Sequence, residues 1–134
     1  MTGSIEPRAE QLGKMAALNR DGPIHMINLL RFKERAAYAD GDRGRTGQEA
    51  YMTYGAQAIG FVQGVGGRQV WAGRGELTLI GPGAEEWHLA VIVEYPSVGA
   101  FLKMVADPAY QAITEHRTAA LADSRLIRTE PMSL

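Results

Sequence analysis

The chain has 134 residues, the length of one ordinary domain. Hydrophobic residues make up 46% and charged residues 22%, which excludes an intrinsically disordered protein. The net charge of −1 provides no basic surface for nucleic acid, and the absence of cysteine excludes disulfides and cysteine-bound zinc. No apolar run approaches the ~20 residues of a membrane span or forms a signal peptide, so we expect a cytoplasmic protein without membrane or nucleic-acid partners.

Residues 1–21 form a predicted helical extension that precedes the main domain, residues 22–134. Leu12, Met15 and Leu18 recur every three residues. This spacing is typical of a short amphipathic helix, which we place over residues 7–19.

A strand, a long loop and a helix are predicted next. Ile24–Phe32 is short, apolar and bounded by proline and charged residues, as expected of a strand. Residues 33–45 are polar and more numerous than in most connections, which predicts a mobile surface loop. Thr46 and Glu49 have the spacing of a capping box, so a helix begins there, and glycines around Gly66 end it.

The second half of the chain predicts two strands, an interrupted helix and a last strand. The two strands span residues 68–80 and 87–95, with a glycine-rich turn between them. Ser97 is a predicted N-cap, and Asp107 before a proline restarts the helix. With a final strand over residues 124–129, the order is β-α-β-β-α-β. We therefore predict an α+β, ferredoxin-like fold, in which four antiparallel strands carry two helices on one face.

Both faces of this sheet are apolar at the centre. On the first strand, Met26 and Leu30 lie on one face, and Ile27 and Leu29 lie on the other. Two helices cover only one face, so the second face needs another cover. We expect a homodimer that packs sheet against sheet, and the alternative is that the N-terminal helix covers this face.

Charged residues predict the register of the first strand against the third. A single antiparallel register pairs His25 with Glu94 and also Arg31 with His88. Because the face that carries Asn28 is the bulkier one, we assign it to the helices. Asn28 then lies in a pocket between sheet and helices, and His25 points toward the dimer.

Four polar side chains are predicted to bind a ligand in this pocket: Asn28, Tyr54, Tyr110 and Arg117. Tyr110 and Arg117 lie two turns apart on one helix face, among apolar residues. An arginine in such a stripe needs either a protein carboxylate or an anionic ligand. The alternatives are an ion pair with Glu94 and, for Asn28, a bond to a nearby backbone group. The histidine spacing fits no metal site, and we expect neither metal nor cofactor.

Several segments resemble the domain of unknown function 1330 family. They are residues 22–33 (GPIHMINLLRFK), 66–73 (GGRQVWAG), 94–97 (EYPS) and 107–110 (DPAY), together with Arg117. The resemblance implies a dimeric α+β barrel, in which two ferredoxin-like sheets pack face to face. Proteins of this architecture include cofactor-free monooxygenases, haem-degrading enzymes and muconolactone isomerases, but a fold does not fix an activity.

Two functions therefore remain open. The first is a homodimeric small-molecule-binding domain, which as an enzyme would be a cofactor-independent oxygenase or isomerase acting on a small anionic or aromatic compound. The second is a non-catalytic dimer whose polar residues only fix its packing. A cavity of roughly 300 Å³ or more favours the first. A filled interior, with Arg117 paired to a protein carboxylate, favours the second.

Overall fold

The computed structural model describes residues 3–18 and 22–133. The elements are α1 (Ala9–Ala17), β1 (Ile24–Phe32), α2 (Gly47–Gly64), β2 (Arg68–Arg74), β3 (Leu89–Tyr95), α3 (Val98–Ala106), α4 (Pro108–Ala120) and β4 (Leu121–Thr129). The four strands form one antiparallel sheet in the order β2-β3-β1-β4. This topology confirms the predicted α+β, ferredoxin-like fold. No helix in the described residues has the length and hydropathy needed to cross a membrane.

The helix ends follow the capping signals in the sequence. Thr46 and Glu49 form the predicted capping box, in which the Thr46 Oγ1 accepts the Glu49 N–H at 3.0 Å and the Glu49 Oε1 accepts the Thr46 N–H at 2.9 Å. Past the end of α2, Gly66 has a φ of 84°, which glycine adopts without strain. Ser97 and Asp107 cap α3 and α4 through their side-chain oxygens, as predicted.

The two strands of the β2–β3 hairpin are shorter than predicted, and the connection between them is longer. β2 ends at Arg74 and β3 begins at Leu89, whereas the sequence predicted strands that continued to residue 80 and resumed at residue 87. Three apolar side chains of the connecting segment are between 81% and 92% exposed: Leu77, Leu79 and Ile80. Their strand-like composition misled the prediction, because no neighbouring strand pairs with this segment. β4 departs in the other direction, since it begins at Leu121 instead of residue 124.

The loop of residues 33–45 lies at the surface, as predicted, but it is anchored to the domain by two buried side chains. Ala36 and Tyr38 are buried in one of the two core clusters. The Tyr38 hydroxyl also lies 2.7 Å from the His116 Nδ1 on α4. Two alternate side chains, Ala36 and Tyr38, anchor this loop. The polar composition of the rest of the loop gave no indication that they are buried.

The predicted register of β1 against β3 is confirmed. His25 lies directly opposite Glu94, and the pairing continues without a break to the other end of β3. The ladder ends before Arg31 and His88, so this second predicted pair does not form. The His88 Nδ1 instead accepts the backbone N–H of Phe32 at 2.9 Å.

This register divides the sheet into an inner face, which the helices cover, and an outer face. On the inner face, Met26 and Leu30 are buried beneath the helices, as predicted. On the outer face, one apolar row crosses all four strands. The row consists of Trp71, Ile92, Ile27 and Ile127.

Helix α1 lies on the inner side of the sheet. Its Met15 packs against the core cluster that contains Met26. The alternative prediction, that this helix covers the outer face, was therefore wrong. The predicted helix end at residue 19 and the predicted boundary after residue 21 lie outside the described residues.

Candidate functional site

A cavity of about 1340 Å³ lies between the inner face, the helices and the N-terminal segment of residues 3–18. All four predicted site residues line it: Asn28, Tyr54, Tyr110 and Arg117. Small-molecule sites usually enclose ~300–1,000 Å³, so this cavity, which is half open to solvent, has room for a small ligand. The volume is large because the N-terminal segment covers the cavity loosely, and α1 has no buried residue. This is the outcome that favours ligand binding.

Asn28 lies in the middle of β1 on the inner face. Its Nδ2 donates to the backbone oxygen of Val91 on β3 at 3.4 Å. The side chain is half-buried and forms part of the cavity wall. Asn28 therefore forms the bond to a nearby backbone group that was the alternative to ligand binding, and it also faces the cavity.

Tyr54 and Tyr110 meet between α2 and α4. Their hydroxyl oxygens are 2.7 Å apart, and their rings are arranged edge to face. Burial, reinforced by Tyr110, raises the pKa of Tyr54 well above its usual range. Burial also raises the pKa of the neighbouring Tyr51 to about 12. Tyr51 and Tyr54 therefore stay protonated at neutral pH and serve as hydrogen-bond donors rather than as bases.

Arg117 projects from α4 into the same cavity. Its Nη1 donates to the backbone oxygen of Ile5 at 2.5 Å, which uses one of five N–H donors. Among the described residues, no carboxylate lies within ion-pair distance of this guanidinium. The alternative pairing with Glu94 was wrong, because Glu94 lies on the outer face and binds the Nε of Arg68 at 2.7 Å.

The charged residues around the cavity are mainly basic. They include Arg117 and Arg128 on the sheet-and-helix side, and Arg8 and Lys14 on the N-terminal segment. Glu6 is the one carboxylate among the described lining residues, and neither histidine nor aspartate contributes to this lining. Such a balance attracts an anion. Elsewhere in the described chain, no group of three or more histidine and acidic side chains is placed to hold a metal ion.

Sequence reasoning missed two residues of this cavity, Tyr51 and Arg128. Tyr51 precedes Tyr54 by three residues on α2, so helical spacing could have revealed it. Arg128 lies opposite Met26, and the alternation along β4 could have placed it on the inner face. The covering N-terminal segment left no such signal, because it contributes backbone oxygens that any residue carries.

Comparison with known proteins places this chain in a family. Residues 31–129 match the family model described as a domain of unknown function, DUF1330. The chain belongs to the DUF1330 family. The matched region contains α2, α3, α4 and most of the sheet, whereas the N-terminal segment precedes it.

Two crystal structures of RPA0582 are similar to this chain along almost its whole length. RPA0582 is a protein of unknown function from Rhodopseudomonas palustris, and its structure has a TM-score of 0.93 and 47% identity, covering 99% of this chain and 100% of that chain. The structure of methylated RPA0582 has a TM-score of 0.95 and 50% identity, covering 99% and 98%. This similarity extends over the N-terminal segment as well as the domain.

A more distant similarity supports the fold alone. The crystal structure of a proposed antibiotic biosynthesis monooxygenase from Caulobacter crescentus CB15 has a TM-score of 0.51 and 13% identity, covering 90% of this chain and 99% of that chain. At this identity, the two proteins share their architecture, which carries no activity from one to the other. No protein with a curated function matches the chain.

Proposed function

We propose that this protein is a homodimeric small-molecule-binding domain whose cavity holds a small organic anion with an apolar or aromatic body. One observation carries this proposal. The Arg117 guanidinium projects into a cavity with an apolar wall, with no protein carboxylate at ion-pair distance among the described residues. A planar guanidinium in this setting is best satisfied by a carboxylate, which accepts two parallel hydrogen bonds.

The rest of the cavity suits the two ends of such a ligand. Tyr51 and Tyr54 line the same cavity as Arg117, and their protonated hydroxyls are of the donor type that an anion accepts. Away from this polar end, the wall is formed by apolar side chains such as Met26 and Val91. Burying an aliphatic or aromatic body there contributes about 25 cal/mol for each Å² of apolar surface.

Benzoate and benzamide test this proposal, because they share a ring and differ in charge. We expect isothermal titration calorimetry to detect benzoate binding and at least tenfold weaker binding of benzamide. In Arg117→Met, the affinity for benzoate should fall by roughly 10- to 100-fold, the usual size of a lost charge-assisted hydrogen bond. Arg31→Met is the matched control, because Arg31 is exposed at the far end of β1 and does not line the cavity.

Equal binding of the two compounds would contradict an anion site, and so would an unchanged benzoate affinity in Arg117→Met. Hexanoate and hexanamide extend the test to an aliphatic body. If neither carboxylate binds, the non-catalytic dimer with a purely structural Arg117 is the better description.

A cofactor-independent oxygenase or isomerase is the second candidate, and the pair of tyrosine hydroxyls favours it. Hydroxyl donors and a guanidinium around one point stabilise the negative oxygen of an enolate or phenolate, which such reactions need. An oxygenase would consume dissolved oxygen with its substrate, and an isomerase would rearrange the substrate without oxygen uptake. In either case Tyr54→Phe should lower kcat more than it raises KM.

The outer face supports the homodimer. Trp71 and Ile127 of the apolar row are 52% and 47% exposed, and Leu79 in the connection between β2 and β3 is 85% exposed. Exposed apolar surface of this extent is typical of an interface, and two-fold pairing is the commonest solution. Because α1 lies on the inner side, a second copy is the cover that remains for this face.

Light scattering tests the dimer directly. We expect twice the chain mass of 14.6 kDa at micromolar concentration. Ile127→Glu places a charge at the β4 end of the apolar row and should give a folded monomer. Met132→Glu serves as the control, because Met132 is exposed near the C-terminus and outside the row. A monomeric wild-type protein, or an unchanged dimer in Ile127→Glu, would reject this interface.

A further inference from the structure

The N-terminal segment of residues 3–18, here named the strap, crosses the cavity and is fastened at its start to β4. The Ser4 N–H donates to the Asp123 Oδ1 at 2.9 Å, and the Ser124 hydroxyl donates to the Ser4 oxygen at 2.6 Å. Gly3 lies so close to β4 that a Cβ there would be 1.9 Å from the oxygen of Ala122. The start of the strap therefore tolerates no side chain.

Two guanidinium groups of the cavity donate to backbone oxygens of the strap. Arg117 binds the oxygen of Ile5 at 2.5 Å, and the Nη1 of Arg128 binds the oxygen of Met15 at 3.3 Å. The strap also supplies Glu6, whose carboxylate accepts the Thr118 hydroxyl at 3.0 Å. The strap therefore occupies donors that would otherwise be available to an anion in the cavity.

Apolar packing holds the strap only in part, through Ile5 and Met15, which are half-buried against the two core clusters. Helix α1 has no buried residue, and its Leu18 is 55% exposed. Ile5 is half-buried against the core cluster that contains Leu30. Much of the attachment therefore depends on the hydrogen bonds from Arg117, Arg128 and β4.

We propose that the strap is a displaceable lid, which occupies the anion position at Arg117 until a carboxylate ligand takes its place. This inference rests on the proposed function, because it assigns to the same site the manner in which ligand binding is regulated. Compared with the neutral Ile5 oxygen, a carboxylate carries the charge opposite to that of the guanidinium and can accept two parallel hydrogen bonds from it. The ligand therefore replaces the Ile5 oxygen at the guanidinium, and the strap loses one of its attachments.

Displacement has a reciprocal consequence. If the ligand weakens the strap, then a change that weakens the strap strengthens ligand binding, by at most the factor by which closure is weakened. The strap and the ligand are two competing partners of Arg117, so their affinities can be varied separately.

Limited proteolysis with trypsin measures the opening of the strap, because Arg8 and Lys14 are cleavage sites within it. Saturating benzoate should accelerate cleavage after Lys14 by roughly 3- to 10-fold, and benzamide should not. Cleavage after Lys103 in α3 is the internal control, because ligand binding should slow it or leave it unchanged. Without ligand, Arg117→Met should also accelerate cleavage after Lys14.

Gly3→Ala weakens the strap at a point away from the guanidinium, because its new Cβ collides with β4. We expect faster cleavage after Lys14 and roughly 3- to 10-fold tighter benzoate binding in this variant. Gly13→Ala is the control for a methyl group that does not collide, because a Cβ at Gly13 meets no atom within 4 Å and alanine favours helix α1, so cleavage after Lys14 should not accelerate and benzoate binding should not tighten.

The outcomes separate this inference from the proposed function. If benzoate binds but leaves cleavage after Lys14 unchanged or slower, the anion site stands and the displaceable lid is rejected. A weaker benzoate affinity in Gly3→Ala also rejects it, since the strap would then be part of the binding site. If benzoate and hexanoate bind neither wild-type protein nor Gly3→Ala, the proposed function fails and the lid fails with it.

Discussion

The two faces of the sheet differ in what covers them and in which residues they carry. The inner face has four helices on its side of the sheet, a buried core and a cavity that Arg117 and the tyrosines line. The outer face has an apolar row at its centre and a group of charged residues, centred on Glu94, at one end. Each face uses the same strands, since alternate residues of β1 and β3 point to opposite sides.

This difference shows how one small sheet can serve two purposes. The inner face keeps polar groups under a loose cover, which suits a ligand that must enter and leave. The outer face is apolar at its centre, which suits a permanent contact with another copy. We expect substitutions on the two faces to differ accordingly in size and in their dependence on protein concentration.

The largest expected effect is on the inner face, at Leu30. This side chain is fully buried, and Leu30→Ala should lower the free energy of unfolding by about 2–5 kcal/mol, because it leaves a cavity in a packed core. Urea denaturation measures the change. Met132→Ala, at an 81% exposed position, should change stability by less than about 0.5 kcal/mol. A cost below about 1 kcal/mol for Leu30→Ala would mean that the inner core is not tightly packed.

The second largest effect is expected at alkaline pH, which should lower the free energy of unfolding through the buried tyrosines of the inner face. The folded-state pKa of Tyr51 is about 12, against an ordinary value of 10.0, because the phenol is buried. The unfolded chain therefore loses this proton first, and stability falls as pH rises from 10 toward 12, by up to about 1.4 kcal/mol per pH unit for this group. Tyr54 and Tyr95, whose pKa values are also raised by burial, add to the fall.

Urea denaturation at pH 8, 9, 10 and 11 measures this slope. Tyr51→Phe should make the slope above pH 10 shallower, because the group that titrates is gone. Trp71→Phe is the comparison on the outer face, where no ionisable group is removed and the slope should not change. An equal slope in Tyr51→Phe and wild-type protein would show that Tyr51 ionises in the folded state as it does in water.

The sequence predicted those parts of the fold that depend on local chemistry or on pattern. β1 was placed at its observed bounds, and the caps at Thr46, Ser97 and Asp107 form as predicted. The register that pairs His25 with Glu94 was predicted from two charge pairs, of which this one forms and the pair of Arg31 with His88 does not. All four predicted site residues face one cavity, because helical spacing and strand alternation are geometric rules.

The parts that could not be predicted depend on contacts between distant segments. The strap is held by the backbone oxygens of Ile5 and Met15, and every residue type provides such an oxygen. The segment around Leu79 has the composition of a strand, but none of the described strands pairs with it. Composition therefore indicated which secondary structure these segments can adopt, and contacts with distant segments determined which structure they form.

A smaller effect is expected at Thr46, where α2 begins to cover the inner face. Thr46→Ala removes the side chain that accepts the Glu49 N–H, and it should lower the free energy of unfolding by about 1 kcal/mol. Thr46→Asp should retain most of the stability, since aspartate also caps helices well. If both variants lose the same amount, the cap contributes through packing rather than through its hydrogen bond.

The smallest effect is expected at Arg68 on the rim of the outer face. Its Nε lies 2.7 Å from the Glu94 Oε2, but the arginine side chain is 67% exposed, so solvent screens the pair. Arg68→Gln should therefore cost less than about 1 kcal/mol, and the cost should shrink in 1 M salt. Arg74→Gln is the matched control on the same strand, because no carboxylate among the described residues pairs with Arg74.

In a dimer, the stability cost of Arg68→Gln also measures how far the interface extends over the outer face. If Arg68→Gln costs more than about 2 kcal/mol at a protein concentration that gives dimers, and little in the monomeric Ile127→Glu background, then the second copy covers the pair and removes it from water. The interface would then extend from the apolar row to the His25 end of the sheet. A small cost in both backgrounds limits it to the row.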